Sequence, residues 1–248
     1  MAHLKSFRYI LLFGWALSLG ACQTPTFKPL PTVTLLHIGL SPTLDWIRPH
    51  MNLCTQPQAG LGLLVDPLPA ASMDPSQADI LFRWGAPAEL KGQADVIGWD
   101  ELVVIVHPLN PIQQLTLADL QAIYKGKQPS WKKLNAPDPT VTGEIAAWGY
   151  SDGDDIQQIW QTLLASPANP ANLTGLAPNP TAMRQIIAGQ VQAIGYLPSH
   201  WMDRSVRAVP LVGIPADMLR LPILAIFQSE PKGAQRSWLL CLQESIKP

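Results

Sequence analysis

The chain has 248 residues, 47% of them hydrophobic and 14% charged, with 17 basic and 18 acidic side chains. It is long enough to bury one large core or two smaller ones, and its slight acidity offers no broad cationic surface for nucleic acid. Setting aside the first 21 residues removes Lys5 and Arg8 and leaves 227 residues with a net charge near −3.

The first element reads as an export signal. Lys5 and Arg8 precede an apolar run over residues 9–19, which closes on Leu19-Gly20-Ala21-Cys22. A charged start, an apolar core of about 7–15 residues and a small-residue cleavage site are the three parts of a secretory signal, and this core is short for a bilayer span. Leu-Gly-Ala-Cys resembles the bacterial lipobox, which implies that residues 1–21 are removed and that Cys22 carries a diacylglyceryl group. Residues 22–31 then form a tether, because Pro25, Pro29 and Pro31 favour an extended backbone. No later stretch has the ~20 uninterrupted apolar residues of a spanning helix. The expectation is an exported, lipid-anchored body on the periplasmic or cell-surface side of a bacterial membrane, touching that membrane through the lipid alone.

Residues 33–38 read as a strand. The turn at 39–43 leads into a short helix over 44–48, with Ser41 as N-cap, Pro42 at the first helical position and Pro49 ending or kinking it. Residues 78–84 and 102–107 read as short buried strands. Leu117, Leu120, Ile123 and Tyr124 make a helical stripe capped by Thr116 and stopped at Gly126. A strand over 144–147 passes through 148–153 into a helix over 154–165, Thr181 caps a helix over 182–188, and 191–196 form another strand. The last helix, 234–246, buries Trp238, Leu239 and Leu242. Strand and helix alternate throughout, the α/β pattern of helices flanking mixed, mainly parallel sheets.

With Cys22 assigned to lipid, Cys54 and Cys241 remain in an exported compartment, where they either pair or stay as two buried thiols. There is no Cys-x-x-Cys, no His-Glu-x-x-His and no zinc spacing among His37, His50, His107 and His200, so no metal and no other cofactor is expected. Gly60-Leu-Gly62 lacks the third glycine of a dinucleotide fingerprint. A calcium loop counted from Asp152 ends on Leu163 where a bidentate Glu is required. Gly149-Tyr150-Ser151-Asp152-Gly153 does fit Gly-x-Ser-x-Gly between a strand and a helix, the setting of a nucleophile elbow. The serine-hydrolase reading fails on chain order: no Asp or Glu lies between Asp155 and His200, and no histidine follows His200.

The order of segments resembles a known family. Glu101-Leu-Val-Val-Ile-Val-His-Pro-Leu-Asn-Pro111, then Leu115-Thr-Leu-Ala-Asp-Leu-Gln-Ala-Ile-Tyr-Lys-Gly126 and Trp131, is similar to the middle of the phosphate-binding, PstS-like substrate-binding proteins of ABC transporters. Gly39-Leu-Ser-Pro-Thr43, the turn at Ser151 to Gly153 and Ala193-Ile-Gly-Tyr-Leu-Pro198 match in order as well. The resemblance implies a two-lobed, type II periplasmic-binding-protein-like fold, with lobe 1 at 32–103 and 206–248 and lobe 2 at 104–205. It implies a non-enzymatic, monomeric solute-binding protein that receives phosphate or a related small anion in the interlobe cleft and hands it to an ABC permease. Lobe interfaces and helix N-termini, where free N–H groups and the helix dipole favour an anion, are the natural places for such a ligand. By position, Ser41, Thr43, Ser151 and Gly153 carry over from the family's two hydroxyl and glycine turns, with Arg83, Trp84 and Gly85 on the loop after the third strand as neighbours.

Two departures bear on the ligand. Phosphate binders of this family have an arginine shortly before the second turn and Gly-Ser-Gly-Thr within it, whereas here Trp148 stands on the approach and the turn reads Ser-Asp-Gly-Asp-Asp. One carboxylate can accept a hydrogen bond from a protonated anion, but Asp152, Asp154 and Asp155 together repel a dianion, with Arg83 as the compensating cation. The acids also suit a helix start, each opposing the dipole for ~0.3–1 kcal/mol, with Ser151 or Asp152 as cap. Trp84 and Trp148 sit beside the proposed ligand turns, and as cleft walls they suit a small organic solute. A surface interaction lipoprotein without any solute is the remaining alternative.

Overall fold

One long strand, β4 (Gln93–Val106), 14 residues in length, serves two halves of a sheet. The computed structural model describes residues 33–58, 60–128, 130–134, 143–165 and 173–247. The expected signal at 1–21, Cys22 and the tether at 22–31 lie outside the described residues. The other strands are β1 (Thr34–Leu40), β2 (Leu61–Pro67), β3 (Ile80–Trp84), β5 (Leu115–Thr116), β6 (Ala146–Gly149), β7 (Gly175–Leu176), β8 (Ala193–Pro198), β9 (Arg207–Val209), β10 (Leu211–Val212) and β11 (Arg220–Phe227). The α-helices are α1 (Arg48–Thr55), α2 (Leu117–Tyr124), α3 (Asp155–Leu163), α4 (Pro180–Ala188), α5 (Ala216–Leu219) and α6 (Gly233–Ser245).

The strand order is β2-β1-β3-β11-β4-β8-β6-β7, with β9 also on β4. β11 runs antiparallel beside β4 from Phe227↔Gln93 to Arg220↔Glu101, and β8 takes over at Leu102↔Pro198. The hand-over divides the sheet: β1, β2 and β3 pair in parallel on one side, and β6, β7 and β8 in parallel on the other. β9 and β10 still pair with the second half of β4 and with β5, so the return to the first half follows Val212. That is later than the boundary at 205/206 expected from sequence. β3 and β8 are buried along their whole lengths, as central strands covered on both faces must be.

Local chemistry accounts for the helix starts. Thr116 and Asp119 form a reciprocal capping box on α2. The expected helix over 44–48 is a 3-10 helix, Pro42–Ile47, that continues into α1. Pro49 neither ends nor kinks it, because it lies in the first turn of α1, where a missing N–H leaves no intrahelical bond unmade. The cap of α4 is Asn179 rather than Thr181: its Oδ1 accepts the Ala182 N–H at 2.9 Å and Pro180 takes the first position. The cap position of α3 is Asp154, and neither Ser151 nor Asp152 occupies it.

In the first half, α1 and α6 lie together against the sheet. Trp238, fully buried against Phe82, donates its indole N–H to Met51 O and Thr55 Oγ1, both at 3.2 Å. Cys54 and Cys241 form a disulfide between the same two helices, with Cα atoms 5.7 Å apart. The second half has an aromatic core: Trp160 stacks on Tyr196 at 4.0 Å, and Tyr124 and Tyr150 meet Tyr196 edge-on. Burial pushes all three phenols well above their ordinary pKa. Each such side chain contributes about 1.5–3 kcal/mol by leaving water.

Candidate functional site

The chain leaves β1 at Leu40 and turns at Ser41. Its Oγ accepts the Thr43 N–H at 3.2 Å, and its own N–H donates to Phe82 O at 2.9 Å. Ser41 and Thr43 are both buried, and the Trp201 indole N–H donates to Thr43 O at 2.8 Å. Ser41 therefore does what its sequence position predicts, capping the 3-10 helix, while Thr43 is left with a free hydroxyl proton to give.

The second turn, after β6, is more open. Ser151 and Asp152 are exposed, and Asp152 accepts from the Gln161 side chain at 2.7 Å. Gly153 lies against the first half of the fold, where its carbonyl accepts the Ala71 N–H at 2.9 Å. Asp154 is half-buried; desolvation and then the neighbouring Asp155 charge raise its pKa, against a hydrogen bond to its carboxylate from the Ser151 backbone, which lowers it. Behind the turn, the buried Gln157 accepts from Tyr150 N at 3.1 Å and from the Tyr196 hydroxyl, which ties α3 to the strands beneath it.

The two turns meet through Asp155. Its carboxylate is 0% exposed. Thr43 Oγ1 donates to Oδ1 at 2.5 Å, the Trp84 N–H donates to Oδ2 at 2.8 Å, and the Ile156 N–H donates to Oδ1 at 2.8 Å. These donors come from the turn after β1, the end of β3 and the first turn of α3. Trp84 reaches the site through its backbone, since its indole is wholly buried in the core and walls no cleft. Gly85 follows with φ +70°, and its N–H donates to Pro222 O at 2.8 Å. That left-handed conformation is one glycine adopts freely.

Arg83 is the cation of the site. It is 5% exposed, with Nε donating to Gly85 O at 3.0 Å and Nη2 to Gln158 Oε1 at 3.2 Å. Burial lowers its pKa, and the Asp155 charge works in the opposite direction. No carboxylate among the described residues lies within ion-pair distance of it. Arg83 lines a groove of about 910 Å³ between the loop at 86–88, one face of α3 and the α5–β11 segment, with Ile159, Leu163, Met218, Leu221 and Pro222 among its walls. Trp148 is not among the lining residues; its ring lies over Gly175 on the neighbouring strand.

The structure thus brings Ser41, Thr43, Arg83, Trp84, Gly85, Gly153 and Asp154 into one neighbourhood around Asp155. It leaves Ser151 and Asp152 at the surface and Trp148 on the sheet. Asp155 was legible only as an acid in the first turn of a helix; that it is buried follows from the packing of α3 on the β1 and β3 ends. A second polar group had no sequence signal. Asp100 Oδ1 accepts from Ser199 Oγ at 2.6 Å, while Oδ2 lies 2.9 Å from Nδ1 of His200. His200 is the single histidine after Ser151 in the chain, and it is held by Asp100 and Trp46. Among the described residues no group of three His, Cys, Asp or Glu side chains is placed to hold a metal.

No protein-family model matches the chain, and no curated protein matches it. Solved structures do. A phosphate ABC-transporter substrate-binding protein with bound phosphate, from Clostridium perfringens, is 20% identical over 84% of this chain and 93% of its own, with a TM-score of 0.71. An ABC-type phosphate transport receptor from Vibrio cholerae is 19% identical over 85% and 94%, with a TM-score of 0.66. The CcmR regulatory domain of Synechocystis, in complex with 2-PG, is 14% identical over 86% and 99%, with a TM-score of 0.62. At such identities the likeness establishes the architecture, and the chain has the two-lobed, type II periplasmic-binding-protein-like fold.

Proposed function

We propose that this chain is a lipid-anchored, extracytoplasmic solute-binding protein that works without catalysis and passes its ligand to an ABC permease. The signal and lipobox pattern around Cys22 supports export and anchoring, and among the described residues no helix is long and apolar enough to cross a membrane. The working division into lobes is 33–103 with 213–248, and 104–212, following the pairing of β9 and β10 with the second half. A small organic anion is the ligand the geometry favours. The observation that carries this is Arg83: a buried cation with no ion-paired carboxylate among the described residues, lining a groove whose other walls are largely apolar. Such a site suits a solute with one carboxylate-type head and a short hydrocarbon body, because the head recovers its lost hydration from the guanidinium while the body buries apolar area.

Inorganic phosphate is the second reading, and the bound phosphate of the Clostridium perfringens neighbour favours it. Thermal unfolding of the purified full-length protein, followed in phosphate, sulfate, molybdate, phosphonates and short organic acids, separates the two. A ligand held only by the folded state at one hundred times its Kd adds about 2.7 kcal/mol. The expected result is a saturable rise in Tm with an organic acid that Arg83→Gln removes. A rise with phosphate alone supports the second reading, and no rise in any arm leaves the surface interaction lipoprotein.

A further inference from the structure

We infer that Asp155 is the resident anion of the seat between the two turns, so that this protein holds its lobes together with its own carboxylate and leaves no place there for a free oxyanion. The donors around Asp155 are those a bound anion would use: one hydroxyl, one strand-end N–H and one N–H from the first turn of a nine-residue helix. All three are directed at the two carboxylate oxygens of a side chain with no exposure to solvent. A tetrahedral anion needs the volume and the donors that the carboxylate already takes. It would also meet the charge of Asp155 in a site where the neighbouring cation, Arg83, is turned to Gly85 O and Gln158.

The same contact is a latch. Thr43 and Trp84 belong to the β1–β3 side of the sheet, and Asp155 to α3, whose Trp160 stacks on Tyr196 of β8 and whose Gln157 accepts from Tyr196 and from Tyr150 after β6. The sequence separations are 112 residues for Thr43 and 71 for Trp84. Ala71 N–H to Gly153 O and Arg83 to Gln158 cross the same boundary within a few residues of it. A hydrogen bond to a buried charge is stronger than one between neutral groups, and leaving either partner alone there is costly. The contact between the two sides is consequently held from within, independently of what the Arg83 groove contains. In this protein the anion seat has become part of the fold, and solute recognition is left to the neighbouring groove.

The test removes the internal anion and offers an external one to the purified full-length protein. Asp155→Ala leaves the Thr43 hydroxyl and the Trp84 N–H without an acceptor and vacates the carboxylate's space. This variant is expected to melt below the parent and to regain Tm in acetate, formate or inorganic phosphate, but not in chloride at the same ionic strength. Its affinity for at least one of the three anions is expected to exceed that of the parent by roughly tenfold or more, read by calorimetric titration. A folded Asp155→Ala that no anion rescues beyond chloride overturns the inference. Thr43→Val, which keeps the carboxylate and deletes one donor, carries the test if Asp155→Ala does not fold. Phosphate is then expected to leave parent and Thr43→Val equally unaffected, and phosphate binding by the parent that Thr43→Val abolishes overturns the inference. A loss of Arg83-dependent organic-acid binding with the anion rescue intact would count against the groove alone.

Discussion

The Trp46 indole lies flat on the His200 imidazole, with ring centroids 3.9 Å apart and planes 9° from parallel. Trp46 comes from the turn after β1 and His200 from the segment after β8, so the stack closes the fold beside the Thr43–Asp155 contact. Asp100 holds the other side of the ring. The hydrogen bond to Asp100 raises the His200 pKa, partial burial works against it, and the Asp100 charge adds to the rise. A histidine whose folded pKa exceeds its unfolded value stabilises the fold fully below the unfolded pKa, about 6.5, and loses that contribution as pH rises through the folded pKa. Melting curves of the parent and His200→Gln across this range should show the largest Tm difference on the acid side and a shrinking one above it. A difference independent of pH would leave the stack without a titrating role.

The Cys54–Cys241 bridge ties α1 to α6 across 187 residues of sequence. Mass spectrometry of unreduced, digested protein should find one linked peptide pair and no alkylated Cys54 or Cys241. Replacing both cysteines by alanine should cost about 2–5 kcal/mol in denaturant unfolding. Two free thiols in freshly isolated protein would contradict the bridge.

Gly85→Ala should destabilise the protein by about 1–3 kcal/mol, the range for a non-glycine residue held at positive φ. Its new Cβ would stand 2.9 Å from Ile159 Cδ1 on α3, and the Gly85 carbonyl that fixes Arg83 Nε would shift with it. The midpoint of urea unfolding at unchanged slope measures the cost. A variant as stable as the parent would show that the loop relaxes without loss.

Gln157 is fully buried and accepts from both Tyr150 N and the Tyr196 hydroxyl. Gln157→Leu preserves bulk and removes the acceptor, so each orphaned donor should cost about 1–3 kcal/mol. Adding Tyr196→Phe removes one of those donors and should recover part of the loss, which a double-mutant cycle reads directly.

Changing Cys22 to Ala should abolish incorporation of labelled lipid and release the protein from membranes, with the far-UV spectrum of the body unchanged. Lipid incorporation equal to that of the parent would remove the lipobox assignment.

Alternation of strand and helix, the Ser41 cap with Pro42, the Thr116 cap and the apolar stripe of α2 were all readable in the sequence. They are local: a side-chain oxygen bonds an N–H two or three residues away, and a face repeats with the helical period. Local rules gave way where they met a tertiary neighbour. β11 carries Pro222 in its interior and gave no strand signal, yet it runs between β3 and β4 because its Ile223–Phe227 stretch is buried there. Thr181 gave way to Asn179 as a cap because Pro180 sets the first helical position two residues earlier. The site divides along the same line. The family resemblance set three carboxylates and one arginine around two turns, but which carboxylate is buried depends on where α3 docks on the ends of β1 and β3. Only the packed structure sends Asp152 to solvent, leaves Asp154 half-buried, and directs Asp155 at the Thr43 hydroxyl and the Trp84 N–H. Contacts between residues 112 and 71 positions apart leave no trace in the spacing of a single chain.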